Sequence, residues 1–234
     1  MKKLLSHFIF PKKKERQIST FFNVGFHGDK YLLELARLLL KDADLFIETG
    51  TNVGSTLAYV ARTYPHLRCI SCEPDLAAFV EAIKNTNKLP NVFLFNEPSQ
   101  QFMVHLDSRF GPLLNGRVVF WLDAHGYGFE WPLREEVAFI TSHFDSANIL
   151  IDDFLMPGME KSFKYARYED QVCSYEYIRD VMHRNRQYDV YYPAYTERTS
   201  SHHPLCGRGL ISYGSQKLDE IPLSLQGKIR VEKK

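Results

Sequence analysis

Glu48 opens the stretch Glu48-Thr49-Gly50-Thr51-Asn52-Val53-Gly54-Ser55-Thr56, in which an acid and two glycines lie between an apolar run and a helix-forming one. Gly50 and Gly54 carry no Cβ, so ligand atoms can come close to the backbone at a tight turn. The free N–H groups of a helix beginning near Gly54 face the same space. The Glu48 carboxylate selects among nucleoside ligands, because it repels a pyrophosphate and attracts an ammonium or sulfonium group. That favours S-adenosylmethionine over NAD or ATP. The sequence has Gly50-x-x-x-Gly54 in place of a Gly-x-Gly-x-x-Gly fingerprint and lacks a Gly-Lys-Ser/Thr phosphate loop, which disfavours dinucleotide and P-loop sites. The plain alternative is a strand-turn-helix with packing glycines.

More acids follow. Glu73-Pro74-Asp75 closes a short β-type run some 25 residues after Glu48, roughly where a Rossmann-type fold places the acid that binds ribose hydroxyls. Asp123 ends the apolar run Val118 to Leu122, and Asp152 and Asp153 end Ile149 to Ile151. Three acids at the carboxyl ends of two neighbouring strands lie where open parallel sheets bind ligands. Ionised together in a half-buried crevice they repel one another, unless a hard divalent cation such as Mg²⁺ sits between them. The competing reading has Asp152 or Asp153 capping a turn and Asp123 facing a backbone donor.

The elements that must position these groups alternate strand and helix. Periodicity and turn signals predict a helix over 29–40, a strand over 45–49, a helix over 55–64, a strand over 68–73 and a helix over 75–87. A strand over 92–95, a helix over 99–110, a strand over 117–123, a helix over 133–144 and a strand over 147–152 continue the rhythm. A helix around 173–184 and strands over 188–192 and 209–213 close it. This predicts an α/β fold, a single-domain Rossmann-like doubly wound sheet, mostly parallel, with an antiparallel closing strand. Residues 1–28 read as an N-terminal extension and 29–234 as the domain.

Composition narrows the function classes. The chain has 234 residues, 44% of them hydrophobic, enough for one well-buried core. With 29 basic against 28 acidic residues there is no global field for nucleic acid, so a small-molecule partner is expected. Cys69, Cys72, Cys173 and Cys206 read as reduced thiols; Cys69-x-x-Cys72 sits within a strand-like run and has no second ligand pair. Met1 to Phe10 is too short to span a membrane and lacks a signal-peptide cleavage site, so a cytoplasmic location without integral membrane association is expected.

Together, these residues resemble class I S-adenosylmethionine-dependent methyltransferases, and within them the metal-dependent O-methyltransferases of the catechol O-methyltransferase type. The resemblance runs from Leu45 to Phe154. It implies cofactor contacts from Glu48, Gly50, Gly54, Ser55 and Thr56, a ribose contact from Glu73, and an adenine contact from Ser99-Gln100. It also implies Mg²⁺ ligation by Asp123, Asp152 and Asp153, with Asp153 standing where the family has an asparagine. Gly126 occupies the position of the family's basic lysine, so the base does not carry over; His125, beside Asp123, could remove a proton near neutral pH. Trp121-Leu122-Asp123-Ala124-His125 with Pro132-Leu133-x-Glu135-Glu136 also resembles bacterial methyltransferase-like proteins of surface-glycan or secondary-metabolite synthesis. The resulting expectation is methyl transfer to a hydroxyl of a small molecule or saccharide, assisted by a divalent metal, with self-association into a homo-oligomer left open. Tyr127, Phe129, Trp131 and Tyr195 are candidate acceptor-pocket walls, and His202, His203 and Arg208 a candidate closing loop. Two alternatives stay open: a metal-dependent oxygenase or hydrolase built on His125 with His202 or His203, and a non-catalytic cofactor-binding subunit.

Overall fold

The computed structural model describes residues 20–124, 131–201, 203–218 and 220–234. Helix α1 (Lys30–Leu40) starts at Asp29, whose carboxylate accepts from the Tyr31 and Leu32 N–H groups and so satisfies two orphan donors of the first turn. Its apolar stripe, Leu32, Leu35, Ala36 and Leu39, is buried on the sheet. Next come β1 (Leu45–Thr49), α2 (Ser55–Thr63), β2 (Arg68–Cys72), α3 (Leu76–Thr86), β3 (Val92–Phe95), α4 (Ser99–Phe110), β4 (Val118–Leu122), α5 (Leu133–His143) and β5 (Ala147–Ile151). A small hairpin, β6 (Arg167–Tyr168) and β7 (Gln171–Val172), precedes α6 (Tyr175–Ile178), β8 (Tyr188–Pro193), β9 (Gly209–Tyr213) and β10 (Ile229–Lys233).

The main sheet has the order β10-β8-β9-β5-β4-β1-β2-β3. Strands β1 to β5 pair in parallel, whereas β9, β8 and β10 are antiparallel to their neighbours. Every residue of β1, β4, β5 and β9 is buried, as expected for strands with helices on both faces. The expected doubly wound, mostly parallel α/β sheet is therefore present. Its antiparallel edge has three strands: the two expected over 188–192 and 209–213, and β10, which the sequence reading did not give. Strand β10, which pairs with β8 at the sheet margin, alternates Ile229 and Val231 with Arg230 and Glu232 over only five residues. The helix expected over 173–184 shrinks to Tyr175–Ile178, and beyond it the His183 N–H bonds the Thr141 hydroxyl of α5 at 3.2 Å.

The topology positions the site. Strand order reverses between β1 and β4, and at such a switch point the loops leaving the carboxyl ends diverge and open a crevice. Residues 20–28, read from the sequence as the end of an N-terminal extension, pack against this crevice. Phe26 is fully buried against Phe46, Tyr59 and Trp121, and its N–H donates to the Thr56 hydroxyl at 3.1 Å.

Candidate functional site

A cavity of about 340 Å³ opens at the switch point, a size within the usual range for small-molecule pockets. Glu48, Gly50, Thr51, Asn52, Val53, Ser55 and Thr56 form one wall; Asp123, His27 and His203 form part of another, and Thr20, Phe22 and Val24 contribute to the rim. Glu48 is 2% exposed and accepts from the Ser71 hydroxyl at 2.7 Å. Burial holds its carboxyl well above the usual carboxylate range; the Ser71 bond opposes this, and the charges of Asp123 and Glu73 add to it. Among the described residues no basic side chain forms an ion pair with Glu48.

The loop after β1 is left-handed at Gly50 (φ 79°), Asn52 (φ 52°) and Gly54 (φ 81°). A Cβ on Gly50 would lie 2.5 Å from the Asp123 carbonyl oxygen and 2.9 Å from the Ala124 Cα. The first demand for glycine there is thus the end of β4, although Gly50 also lines the cavity. At Gly54 the neighbour is the Ala82 methyl of α3, at 3.3 Å.

Glu73 is buried at the end of β2 and braces the same loop: one carboxylate oxygen accepts from the Asn52 N–H at 2.7 Å, the other from the Asp75 N–H at 3.0 Å. Thr51 bonds the Ser71 hydroxyl and the Cys72 carbonyl, tying the loop to β2. Ser55 accepts from the Phe22 N–H at 3.1 Å, so Ser55 and Thr56 together anchor the segment before α1. The cavity walls include neither Glu73 nor Ser99 nor Gln100. Ser99, at the start of α4, is buried with no hydrogen-bond partner for its hydroxyl among the described residues, and Gln100 is half-buried.

The aspartates separate. The Asp123 N–H continues the ladder to the Thr49 carbonyl and the Asp152 N–H continues it to the Leu122 carbonyl, each at 3.0 Å, so both side chains leave adjacent strand ends. They converge on His27, whose Nε2 lies 3.0 Å from Asp152 Oδ2 and 3.4 Å from Asp123 Oδ2. Burial alone would lower the His27 pKa, but the close approach of the Asp152 and Asp123 carboxylates lifts it to about 10. The other Asp152 oxygen lies 3.0 Å from Nε of buried Arg208, whose Nη1 reaches Asp29 Oδ2 at 3.3 Å. Asp153 lies outside this cluster. Its backbone is left-handed (φ 50°), and its side chain hydrogen-bonds the Cys206 thiol, which burial, reinforced by the Asp153 charge, pushes up.

His203 stacks on His27 with ring centroids 4.2 Å apart, while its Nδ1 lies beside the Pro204 carbonyl and the Cys206 sulfur, not the aspartates. Tyr195, a candidate pocket wall, is a core residue that donates to Asp29 at 2.9 Å, and Trp131 is buried against Tyr177. His125, Tyr127, Phe129 and His202 lie outside the described residues. His27 and Arg208 are the site groups that sequence reading missed or left as loop residues. Their own neighbourhoods carry no motif, and only the long-range fold delivers them to Asp152.

No protein-family model and no curated protein matches the sequence. Among solved structures, the chain is similar to the O-methyltransferase TomG from Streptomyces achromogenes, involved in tomaymycin synthesis and solved with S-adenosylmethionine. Identity is 15%, coverage 78% of this chain and 78% of that one, and TM-score 0.54. An O-methyltransferase from Bacillus cereus, solved with S-adenosylhomocysteine, is 14% identical over 79% of this chain and 80% of its own, at a TM-score of 0.48, too loose a likeness to argue from. What these figures establish is architecture: the chain has the Rossmann-like α/β fold of class I S-adenosylmethionine-dependent methyltransferases.

Proposed function

We propose that the chain transfers a methyl group from S-adenosylmethionine to a hydroxyl of a small molecule or saccharide, with a divalent cation at the aspartate cluster. The observation that carries the reading is Glu48, a buried carboxyl on the cavity wall that forms no ion pair with a basic side chain among the described residues, the nearby His27 being held by Asp123 and Asp152. A ligand bearing a fixed positive charge beside a nucleoside is what such a wall fits. S-adenosylmethionine supplies that charge and an electrophilic methyl carbon. Glu48 would hold the sulfonium side, the Thr51 to Gly54 loop the backbone contacts, and Glu73 the ribose once the Asn52 loop adjusts. Ser99, with a buried hydroxyl lacking a partner among the described residues, is the proposed adenine-side contact together with Gln100.

The second half of the site fits a cation. Asp152 fixes one oxygen on Arg208 and turns the other toward Asp123 and His27. A bound divalent metal would lower the pKa of an acceptor hydroxyl and hold its oxygen. Asp123 lines the same cavity as Glu48, so acceptor and cofactor would share one chamber and the chain's work would be mainly alignment. His27 carries a proton at neutral pH without a metal and is therefore not the base; His125, two residues beyond Asp123, keeps that proposed role. The four cysteines are free and buried, which supports a reducing, cytoplasmic setting.

Calorimetry with S-adenosylhomocysteine and NAD tests the cofactor reading. S-adenosylhomocysteine should bind and raise stability by about 2.7 kcal/mol at roughly 100 times its Kd. NAD binding without any S-adenosylhomocysteine binding would overturn it.

A further inference from the structure

We infer that the cation site is His27–Asp123–Asp152, with an imidazole in place of the third carboxylate, and that it takes a borderline dication such as Mn²⁺, Fe²⁺, Co²⁺ or Zn²⁺ in preference to Mg²⁺. The inference rests on the reading of a cation at Asp123 and Asp152, and it assigns both a ligand and a metal class.

Three donor atoms, one from each residue, lie within 4.8 Å of one another, although they come from the segment before α1 and from the ends of β4 and β5. Donors about 2.1 Å from a common metal stand roughly 3.0 Å apart at a right angle and about 3.4 Å apart at a tetrahedral one. The measured separations of His27 Nε2 from the two carboxylate oxygens are 3.0 and 3.4 Å. Asp153, the acid adjacent in sequence, is engaged with Cys206.

The surroundings hold the ligands as a metal site requires. Arg208 fixes the Asp152 oxygen that faces away from His27 and is itself tied to Asp29, the cap of α1. The Ser200 hydroxyl donates to the His27 carbonyl at 2.6 Å, and His203 stacks on the imidazole. His27 and Asp123 both line the cavity, so further coordination positions would face the space where an acceptor oxygen binds. Mg²⁺ demands oxygen donors and keeps its water, whereas imidazole nitrogen favours the later first-row ions.

The test uses the whole metal-free chain and the metals alone. Mn²⁺ and Co²⁺ should bind one per chain and at least tenfold more tightly than Mg²⁺ by calorimetry. Pulsed electron paramagnetic resonance of the Mn²⁺ form should show coupling to one imidazole nitrogen. His27→Gln should weaken Mn²⁺ at least tenfold and remove that coupling, while Asp153→Asn should change affinity less than threefold. The nitrogen coupling in the native chain decides the question even if His27→Gln folds poorly. Equal affinity for Mg²⁺, no nitrogen coupling, or no metal uptake would overturn the inference, the last leaving a protonated His27 in the cation's place. Metal uptake with nitrogen coupling but without S-adenosylhomocysteine binding would support this inference and sink methyl transfer. S-adenosylhomocysteine binding without metal would do the reverse.

Discussion

Replacing Gly50 by alanine should damage both halves of the site at once, because the methyl would be driven into the backbone that carries Asp123. Two costs can be worked out. At φ 79° an alanine pays about 1–2 kcal/mol for left-handed backbone. The new Cβ, 2.5 Å from the Asp123 carbonyl oxygen and 2.7 Å from its carbon, meets backbone and not a yielding side chain. Overpacking of that kind costs about 1–3 kcal/mol. The sum, about 2–5 kcal/mol, is a large share of a domain's usual 5–15 kcal/mol. Relief requires the loop or the end of β4 to move by roughly 1 Å, enough to misplace ligands and reacting groups. Gly54→Ala is the comparison: its φ is similar, but its nearest neighbour is the Ala82 methyl at 3.3 Å, so a shift of a few tenths of an ångström relieves the contact and the backbone term of about 1–2 kcal/mol dominates. Urea unfolding gives the stabilities, and calorimetry gives S-adenosylhomocysteine and Mn²⁺ affinities. The reasoning is refuted if Gly50→Ala unfolds within 0.5 kcal/mol (on the order of a neutral surface change) of the parent and keeps both affinities.

Glu73→Ala removes the acceptor for the Asn52 and Asp75 N–H groups, so it should cost about 1–3 kcal/mol of stability and at least a factor of ten in S-adenosylhomocysteine affinity, read in the same two assays. Asp152→Ala leaves buried Arg208 with Asp29 as its one remaining ion-pair partner among the described residues and should destabilise by about 3–5 kcal/mol, with Asp152→Asn milder; thermal unfolding beside metal titration separates this loss from lost ligation. The metal-free chain should weaken with rising pH. The His27 pKa is about 6.5 unfolded and about 10 folded, so its contribution is complete below pH 6.5 and is lost as pH climbs through 10. Glu48, also raised on folding, acts in the same direction. A fall of a few kcal/mol between pH 6.5 and 10 is expected in urea midpoints; a constant or rising midpoint would contradict it.

The parallel half of the sheet was legible in the chain because its strands are short, largely apolar runs between turn signals, with β1, β4 and β5 buried on both faces. Strands β1, β3 and β9 and helix α4 have the bounds expected from pattern alone. The approximate places of Glu48, Asp123 and Asp152 followed, since residues that end neighbouring parallel strands must meet at one edge of the sheet. Strand β10 went unread because its alternation is only five residues long and two apolar side chains, Ile229 and Val231, carry it beside Arg230, Glu232 and Lys233. The end of α6 at Ile178 was not legible either; beyond it the chain turns, and the His183 N–H bonds Thr141 of α5, a tertiary contact that local pattern does not show.

Local order thus belongs to the sequence: which segments are strands, which turn needs glycine, and which acids end those strands. The partners of the acids belong to the tertiary structure. Asp152 and Asp153 are adjacent, yet one turns to His27 and Arg208 and the other to Cys206, because the left-handed backbone at Asp153 sends its side chain elsewhere. His27 reaches the site only because Phe26 is anchored in the core against Trp121, and Arg208 only because β9 inserts beside β5. Residues so distant along the chain have no mutual signature in it; their meeting is set by burial and chain closure, which no local pattern encodes.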